Sequence, residues 1–266
     1  MLPADFPAWL ASRRGAAPWR VLIVAAHPDD EVIGLGAQLP FLPQARILHV
    51  TDGAPRDGRD VAAHGFPDCA AYAAARRREL AAALALAGIG AGAAWTLGLP
   101  DQEASLHLLE ITRRITAAIA ETGAEIVVTQ AYEGGHPDHD ATAFAVQAAL
   151  QHAPTTLFEM AGYHAGPQGI AVGDFLPGTG EAGVTLALSP GQAALKRRML
   201  DCFATQRQVL AAFPVGAERL RPAPRYDFTR PPHPGRLFYE NFPWGMTGER
   251  FRRLTAEAHG ALGLAP

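Results

Sequence analysis

After Arg20 the chain runs apolar from Val21 to Ala26, then turns within one residue to His27, Pro28, Asp29, Asp30 and Glu31. A short, continuous apolar run bounded by a turn signal reads as a strand buried on both faces, the habit of a parallel sheet. The acids that follow open a helix expected over about 31–41. "ARILHVTDG" repeats the design, a second strand ending in a polar turn. From Cys69 to Ala87 alanine and leucine predict a helix, with Gly88 as its stop. "AAWTLGL" reads as a third strand, "LHLLEITRRITAAIAETG" as a helix closed by Gly123, and "AEIVVTQA" as a fourth strand running into "YEGGHPDHD". A helix is expected over "ATAFAVQAALQHA". Strands alternating with crossover helices predict an α/β fold, a doubly wound and mostly parallel sheet. Later strands are expected in "TLFEMAGYHA" and "GVTLALS", followed by one long helix from Pro190 to about Phe213. Beyond Pro214 the chain is rich in Pro, Arg and aromatics, with "RPPHPG" as a hard break.

With 266 residues, one large α/β domain is the expectation: a single domain over 1–266, with a core of about 19–200 and a C-terminal extension of about 214–266. Hydrophobic residues are 48% and charged ones 18%, and the formal charge of −3 offers no global attraction for nucleic acid or an anionic membrane. A small molecule is the expected partner, and oligomeric state is not legible. Cys69 and Cys202 stand apart, so they form neither a CxxC clamp nor a disulfide framework, and a reducing cytoplasm is the expected setting. The N-terminal stretch has its acid early and its arginines late, the reverse of a signal peptide, and no apolar run reaches the roughly 18 residues of a membrane span.

Taken alone, "HPDDE" could be only a well-made helix N-terminus, with Pro in the first turn and acids offsetting the dipole. A second strand end changes this, because the fourth strand also runs through glycines into His136, Pro137, Asp138, His139 and Asp140. Ligands of open α/β sheets bind at the carboxyl ends of strands, where both turns belong. Together they offer imidazoles and carboxylates suited to zinc, with three protein ligands and a position left for water. His27 and Asp30 are i and i+3 and can face one point, whereas Asp29 projects elsewhere and suits a general base. One of His136 and His139 can close the metal site while the other stabilises charge on a reacting oxygen. Asp138 can orient an imidazole.

"AAHPDDEVIGLGA" and "YEGGHPDHDATAFAV", in this order, resemble the paired signatures of the PIG-L/LmbE-like zinc de-N-acetylase family. The resemblance covers about residues 19–200. It implies a Rossmann-like, LmbE-like fold with helices on both faces of the sheet. It implies a hydrolase that removes acetyl groups from N-acetylglucosamine-type amines, with Zn2+ as cofactor and Fe2+ as a possible substitute. By the same resemblance His27, Asp30 and His139 hold the metal, Asp29 is the general base, and His136 stabilises the oxyanion with Asp138 beside it. Arg76 and Glu79 of "RRREL" resemble a family R-x-x-E helix feature whose arginine reaches substrate, and Asp101 resembles an acid that contacts sugar hydroxyls. The plainer alternatives are a surface Arg76–Glu79 pair and a helix-capping Asp101.

Two rival activities are a metal-dependent phosphoesterase and a ligand-binding module without catalysis. Dinucleotide binding is excluded, since Gly34 and Gly36 follow the turn and Asp29, Asp30 and Glu31 would repel a pyrophosphate. His49 is expected as a satisfied core or rim residue, and Tyr163 and His164 as candidates to line the cleft. His64, His107, His152, His233 and His259 read as ordinary surface or loop positions. Trp244 and the Pro-rich tail read as packing, with a flap over the cleft as the alternative.

Overall fold

The alternation of apolar runs and helical segments folds as expected in the computed structural model, which describes residues 1–12, 15–151, 153–181 and 183–264. The chain opens with α1 (Phe6–Ser12), β1 (Val21–Ala25), α2 (Asp30–Leu35), β2 (Arg46–Pro55), α3 (Arg59–Ala63), α4 (Cys69–Leu86), β3 (Ala94–Asp101) and α5 (Leu108–Thr122). It continues through β4 (Ile126–Gln130), α6 (Pro137–Leu150), β5 (Thr156–Met160), β6 (Tyr163–Gly166), β7 (Gly169–Val172), β8 (Val184–Ala187), α7 (Pro190–Leu200), α8 (Arg207–Leu210), β9 (Ala217–Pro222) and α9 (Gly248–Leu262). Among the described residues a seven-stranded sheet has the order β3-β2-β1-β4-β5-β9-β8. Its first five strands are parallel, and β9 joins antiparallel to both β5 and β8.

Strand residues alternate between two cores, as the period of two requires. Val21, Ile23 and Ala25 of β1 pack on one face with Phe6, Trp9, Val32, Leu80, Leu84 and Met199. Leu22 and Val24 pack on the other with Ile111, Ile115, Phe144 and Phe251. Helices therefore cover both faces, with α1, α2, α4 and α7 on one side and α5, α6 and α9 on the other. The α/β, mostly parallel architecture is the expected one.

Several boundaries differ from the sequence expectation. The helix expected over 31–41 ends at Leu35 and gives way to a 3-10 turn at Leu39–Phe41. Gly34 lies so close to β5 that an added Cβ would overlap the Met160 side chain, so its role is close packing. The helix expected to begin at Ala141 starts at Pro137, which puts Asp138, His139 and Asp140 inside α6. The long helix expected from Pro190 to Phe213 stops at Leu200, and α8 follows a separate 3-10 turn. "TLFEMAGYHA" divides into β5 and the first strand of the β6–β7 hairpin. The segment after 214 is more than an extension: β9 lies within the sheet and α9 packs under it. His152 lies outside the described residues.

Candidate metal centre

The chain steps to one side of β1 for β2 and β3, then returns to the other side for β4. That reversal opens a crevice at the carboxyl ends of β1 and β4, the switch point where open α/β sheets place ligands. Both HPD turns leave the sheet there. Past β1, the Ala26 carbonyl accepts the Thr51 N–H and hydroxyl, each at 2.9 Å, while its N–H donates to Gln130 Oε1 at 3.2 Å. Asp30 Oδ2 accepts the His27 N–H at 2.7 Å, which closes the turn and aims both side chains at one point. Gln130 Nε2 donates to the same oxygen at 2.6 Å, tying β4 to the first turn.

The second turn is built by its own polar groups. Pro137 opens α6, and the N-cap His136 accepts the Asp138 N–H on Nδ1 at 3.1 Å. Asp140 Oδ1 accepts the N–H groups of Glu133 and Gly134 at 3.2 and 3.0 Å, which folds the glycine loop back on the helix. Gly134 is left-handed, with φ of 69°, and Gly135 lies against the Tyr163 carbonyl, so neither position admits a side chain.

These two turns bring His27, Asp30 and His139 together, all buried. His27 Nδ1 is 3.3 Å from Asp30 Oδ2, His139 Nε2 is 3.2 Å from Asp30 Oδ1, and the two imidazole nitrogens are 3.2 Å apart. A tetrahedral ion with bonds of about 2.0–2.1 Å separates neighbouring ligand atoms by roughly 3.4 Å, so the set matches three corners of such a site.

A second cluster shares His27 with Asp101, His136 and Asp138, but its hydrogen bonds are already taken. Asp138 Oδ2 accepts the Gln102 N–H at 2.6 Å and Oδ1 the Ala104 N–H at 3.0 Å. His27 Nε2 lies 3.1 Å from Asp101 Oδ1 and 3.3 Å from Asp138 Oδ2. Carboxylates on Nε2 place the His27 proton there and free the Nδ1 lone pair for a cation, the arrangement typical of metal-bound histidines. The donor set at His27, Asp30 and His139 therefore fits a divalent ion, and the second cluster fits its support.

Asp29 stands apart from both clusters. Its Oδ2 accepts from Arg76 Nη2 at 2.9 Å, and both side chains are buried. Arg76 Nη1 donates to the Gly53 carbonyl at 2.9 Å. Burial pushes the Asp29 carboxyl up to about 6 against the pull of Arg76. Asp30 moves the other way: burial raises it, but His139 and His27 together hold it well below the usual carboxylate range. Burial and the neighbouring His27 keep His136 well below the usual imidazole range. With Nδ1 already accepting, neutral His136 carries its proton on Nε2, 3.7 Å from Asp101 Oδ1.

Some expected residues sit differently. Arg76 and Glu79 do not pair with each other, since Glu79 accepts the Thr205 N–H at 3.1 Å and its hydroxyl at 2.6 Å. Asp101 is no helix cap; it faces His27 and His136. Asp138 lies 3.9 Å from His136 Nδ1 but makes its hydrogen bonds to the 102–104 backbone and His27. His49 is a buried partner of Glu31 at 2.9 Å. Tyr163 packs edge-on against His139, with ring centroids 5.2 Å apart. His164 is buried in the hairpin, its Nδ1 against the Ala165 carbonyl.

Sequence reasoning missed Gln130 and Gln102, which act through backbone and carboxylate contacts that no local motif announces. Trp244, read from the sequence as packing with a flap over the cleft as the alternative, has its ring centroid 4.7 Å from that of His136. The signal was weak: one tryptophan in a Pro-rich tail.

Comparison with known proteins adds a family match and the fold. Residues 22–150 match the family described as PIG-L: GlcNAc-PI de-N-acetylase. A curated relative, the 1D-myo-inositol 2-acetamido-2-deoxy-alpha-D-glucopyranoside deacetylase 3 of Catenulispora acidiphila, is 31% identical over 161 residues, 51% of this chain and 45% of the relative. The match thus spans less than half of that relative's length. Among solved structures, the A40926 pseudoaglycone deacetylase Dbv21 is 22% identical with a TM-score of 0.62, over 79% of this chain and 99% of its own. A triple mutant of the Orf2 deacetylase of teicoplanin biosynthesis is 21% identical with a TM-score of 0.61, over 78% and 99%. The N,N'-diacetylchitobiose deacetylase of Pyrococcus horikoshii is 16% identical with a TM-score of 0.54, over 82% and 90%. At these identities the structural likeness establishes the shared fold.

Proposed function

We propose that the protein is a metal-dependent de-N-acetylase acting on an N-acetylglucosamine-type sugar or glycoconjugate, a reading supported by the match of residues 22–150 to the PIG-L family. The observation that carries this reading is the three-cornered set of His27 Nδ1, Asp30 and His139 Nε2, with the Asp29 carboxylate on the adjoining residue. Two imidazoles and one carboxylate suit zinc and also accommodate Fe2+. When bound, such an ion supplies Lewis acidity and lowers the pKa of water to about 7.

The chain's own groups do the rest. Arg76 engages Oδ2 of Asp29, so Oδ1 takes the proton of the attacking water and later returns it to the departing amine. His136 donates its Nε2–H to the amide oxygen as negative charge gathers there, a contribution of roughly 3–4 kcal/mol for one such donor in other enzymes. Asp101 and Asp138 fix His27 from behind.

The relative's name supports the substrate class, since it specifies an acetamido-deoxyglucopyranoside. Among the described residues no helix is long and apolar enough to cross a membrane. We read residues 1–266 as one functional unit, because β9 lies within the sheet and Trp244 reaches His136. Free Cys69 and Cys202 suit a reducing cytoplasm. A neutral sugar is the expected partner, and the formal charge of −3 supports no role in nucleic-acid binding.

The test is amine release from N-acetylglucosamine derivatives by zinc-loaded protein. Asp29→Asn is expected to keep zinc and lose at least about 100-fold in kcat, whereas His139→Ala is expected to lose zinc by direct metal analysis. Wild-type rates and full metal content in both variants would overturn the reading.

A further inference from the structure

The ladder between β1 and β4 is short, pairing Val21 with Ile126, Leu22 with Val127 and Ile23 with Val128. Beyond it side chains take over. Thr129 Oγ1 donates to the Val24 carbonyl at 2.8 Å, and Gln130 Oε1 accepts the Ala26 N–H at 3.2 Å. Two polar residues at the end of an otherwise apolar strand thus satisfy the β1 backbone where the crevice opens. Gln130 is only 3% exposed. A buried amide is costly unless both its ends are bonded, and the other end meets Asp30.

The orientation of that amide follows from its partners. A backbone N–H can only donate, so the amide oxygen faces Ala26 and the NH2 group is left to face Asp30 Oδ2 at 2.6 Å. The same Oδ2 accepts the His27 N–H at 2.7 Å. A carboxylate oxygen has two lone-pair sites, and both on Oδ2 are filled. Oδ1 accepts no backbone or amide N–H among the described residues and lies 3.2 Å from His139 Nε2. The two oxygens of Asp30 therefore have separate duties.

That separation matters because Oδ2 is itself 3.3 Å from His27 Nδ1, close enough to compete for the same cation. An aspartate free to use both oxygens, together with His27 and His139, would offer four donors and fill a tetrahedral set. With Oδ2 engaged the chain offers three, and a position remains for water. Pinning β4 to β1 needs only the acceptor for Ala26. The donor toward Asp30 answers to the metal centre.

We propose that Gln130 is a positioning residue, whose Nε2–H keeps Asp30 Oδ2 engaged and presents Oδ1 as the one carboxylate donor. The proposal rests on the metal-centre reading of His27, Asp30 and His139, and adds to it the device that keeps one position open.

The test uses metal alone and needs no substrate. Protein stripped with a chelator is titrated with Co2+, whose visible bands are strong in a four-coordinate site and weak at higher coordination number. Wild type is expected to give strong bands. Gln130→Met removes the donor at similar volume, so the bands are expected to lose intensity as Oδ2 becomes a second donor. With Asp30 no longer held in place, zinc is expected to bind about 10–100-fold more weakly, measured by competition with a chelator. Gln130→Glu keeps an acceptor for Ala26 and, at mildly alkaline pH, has no proton to donate to Asp30. Its cobalt bands are expected to weaken in the same way, and it carries the test if Gln130→Met does not fold by circular dichroism. A Gln130→Glu spectrum equal to that of the wild type would reduce Gln130 to pinning strands and overturn the proposal, with the metal centre left standing. Weak bands already in the wild type would overturn it too. Wild-type protein that takes up neither Co2+ nor zinc would overturn it together with the centre. Weakened bands in both variants support the proposal even where no amine is released from any N-acetylated sugar, which is the failure of the hydrolytic reading alone.

Discussion

Asp138 shows how a single side chain can organise a centre without touching the reacting atoms. One oxygen receives the Ala104 N–H at 3.0 Å, and the other receives the Gln102 N–H at 2.6 Å and lies 3.3 Å from His27 Nε2. Asparagine has one acceptor oxygen, so Asp138→Asn must turn an amide N–H toward a backbone N–H or toward His27. Zinc affinity is expected to fall by about 10–100-fold, the usual effect of removing a partner behind a ligand, as measured by competition with a chelator. Gly53 makes a parallel case. Its φ is 67°, and an added Cβ would lie 2.8 Å from Pro28 Cδ and 2.9 Å from Arg76 Cζ. Gly53→Ala is expected to displace Arg76 from Asp29 and cut kcat by about 100-fold while zinc content stays near wild type, since misplacement of a catalytic group by about 1 Å costs that much. The metal and base candidates were legible because each turn packs its histidines and acids into four or five consecutive residues. Gln102, Gln130 and Trp244 were not, because their parts depend on contacts across 36, 100 and 108 positions of sequence, as Gln102 with Asp138, Gln130 with Asp30 and Trp244 with His136 show.

At the scale of elements, the parallel half of the sheet was written into local pattern and the antiparallel half was not. β1, β2 and β4 are apolar runs closed by polar turns, whereas β9 reads "AERLRP" and carries charge at half its positions. Two of those charges, Glu218 and Arg221, are buried against partners distant in sequence: Glu218 with Lys196 at 3.0 Å and Arg221 with Glu159 at 3.0 Å. The expected long helix after Pro190 fails for a similar reason, since Glu79 of α4 binds the Thr205 N–H and hydroxyl and stabilises a turn where composition alone favours continued helix. By contrast α9 had local signals, Thr247 as N-cap and Gly263 as C-cap, obscured by the Pro-rich segment before it. Lys196, the sole lysine of the chain, joins three elements: it donates to the Ile33 carbonyl in α2 at 2.6 Å and pairs with Glu218 of β9 from its place in α7. Glu218 in turn accepts the Ala37 N–H at 2.9 Å. Lys196→Met leaves a buried carboxylate without its cation, and unfolding free energy by urea titration is expected to fall by about 3–5 kcal/mol.

Over the whole molecule, the acids on the β5–β9 side make folding sensitive to pH. Glu159 is buried in contact with Arg221 at 3.0 Å and with Tyr226, whose hydroxyl donates at 2.9 Å. Glu133 lies 3.6 Å from the same guanidinium and accepts the Leu176 N–H at 2.7 Å, with Asp174 acting on it from the following loop. Burial pushes Glu159 up to about 8 and Glu133 up to about 7, and Arg221 only partly offsets it. Both lie above their values in an unfolded chain, near 4.3 for glutamate. Between the two limits the folded protein therefore holds more protons than the unfolded one, so stability declines as pH rises. The contribution of the two carboxyls is complete below about 4.3 and is lost through about 7 for Glu133 and about 8 for Glu159. Thermal unfolding is expected to show a lower Tm at pH 9 than at pH 6, with Glu159→Gln flattening the decline. A neutral amide can still accept from Arg221 and Tyr226, but it has no proton to lose over that window. A Tm that holds level from pH 6 to pH 9 in the wild type would mean that Arg221 keeps both carboxylates ionised throughout, and would remove the proton linkage from this side of the sheet.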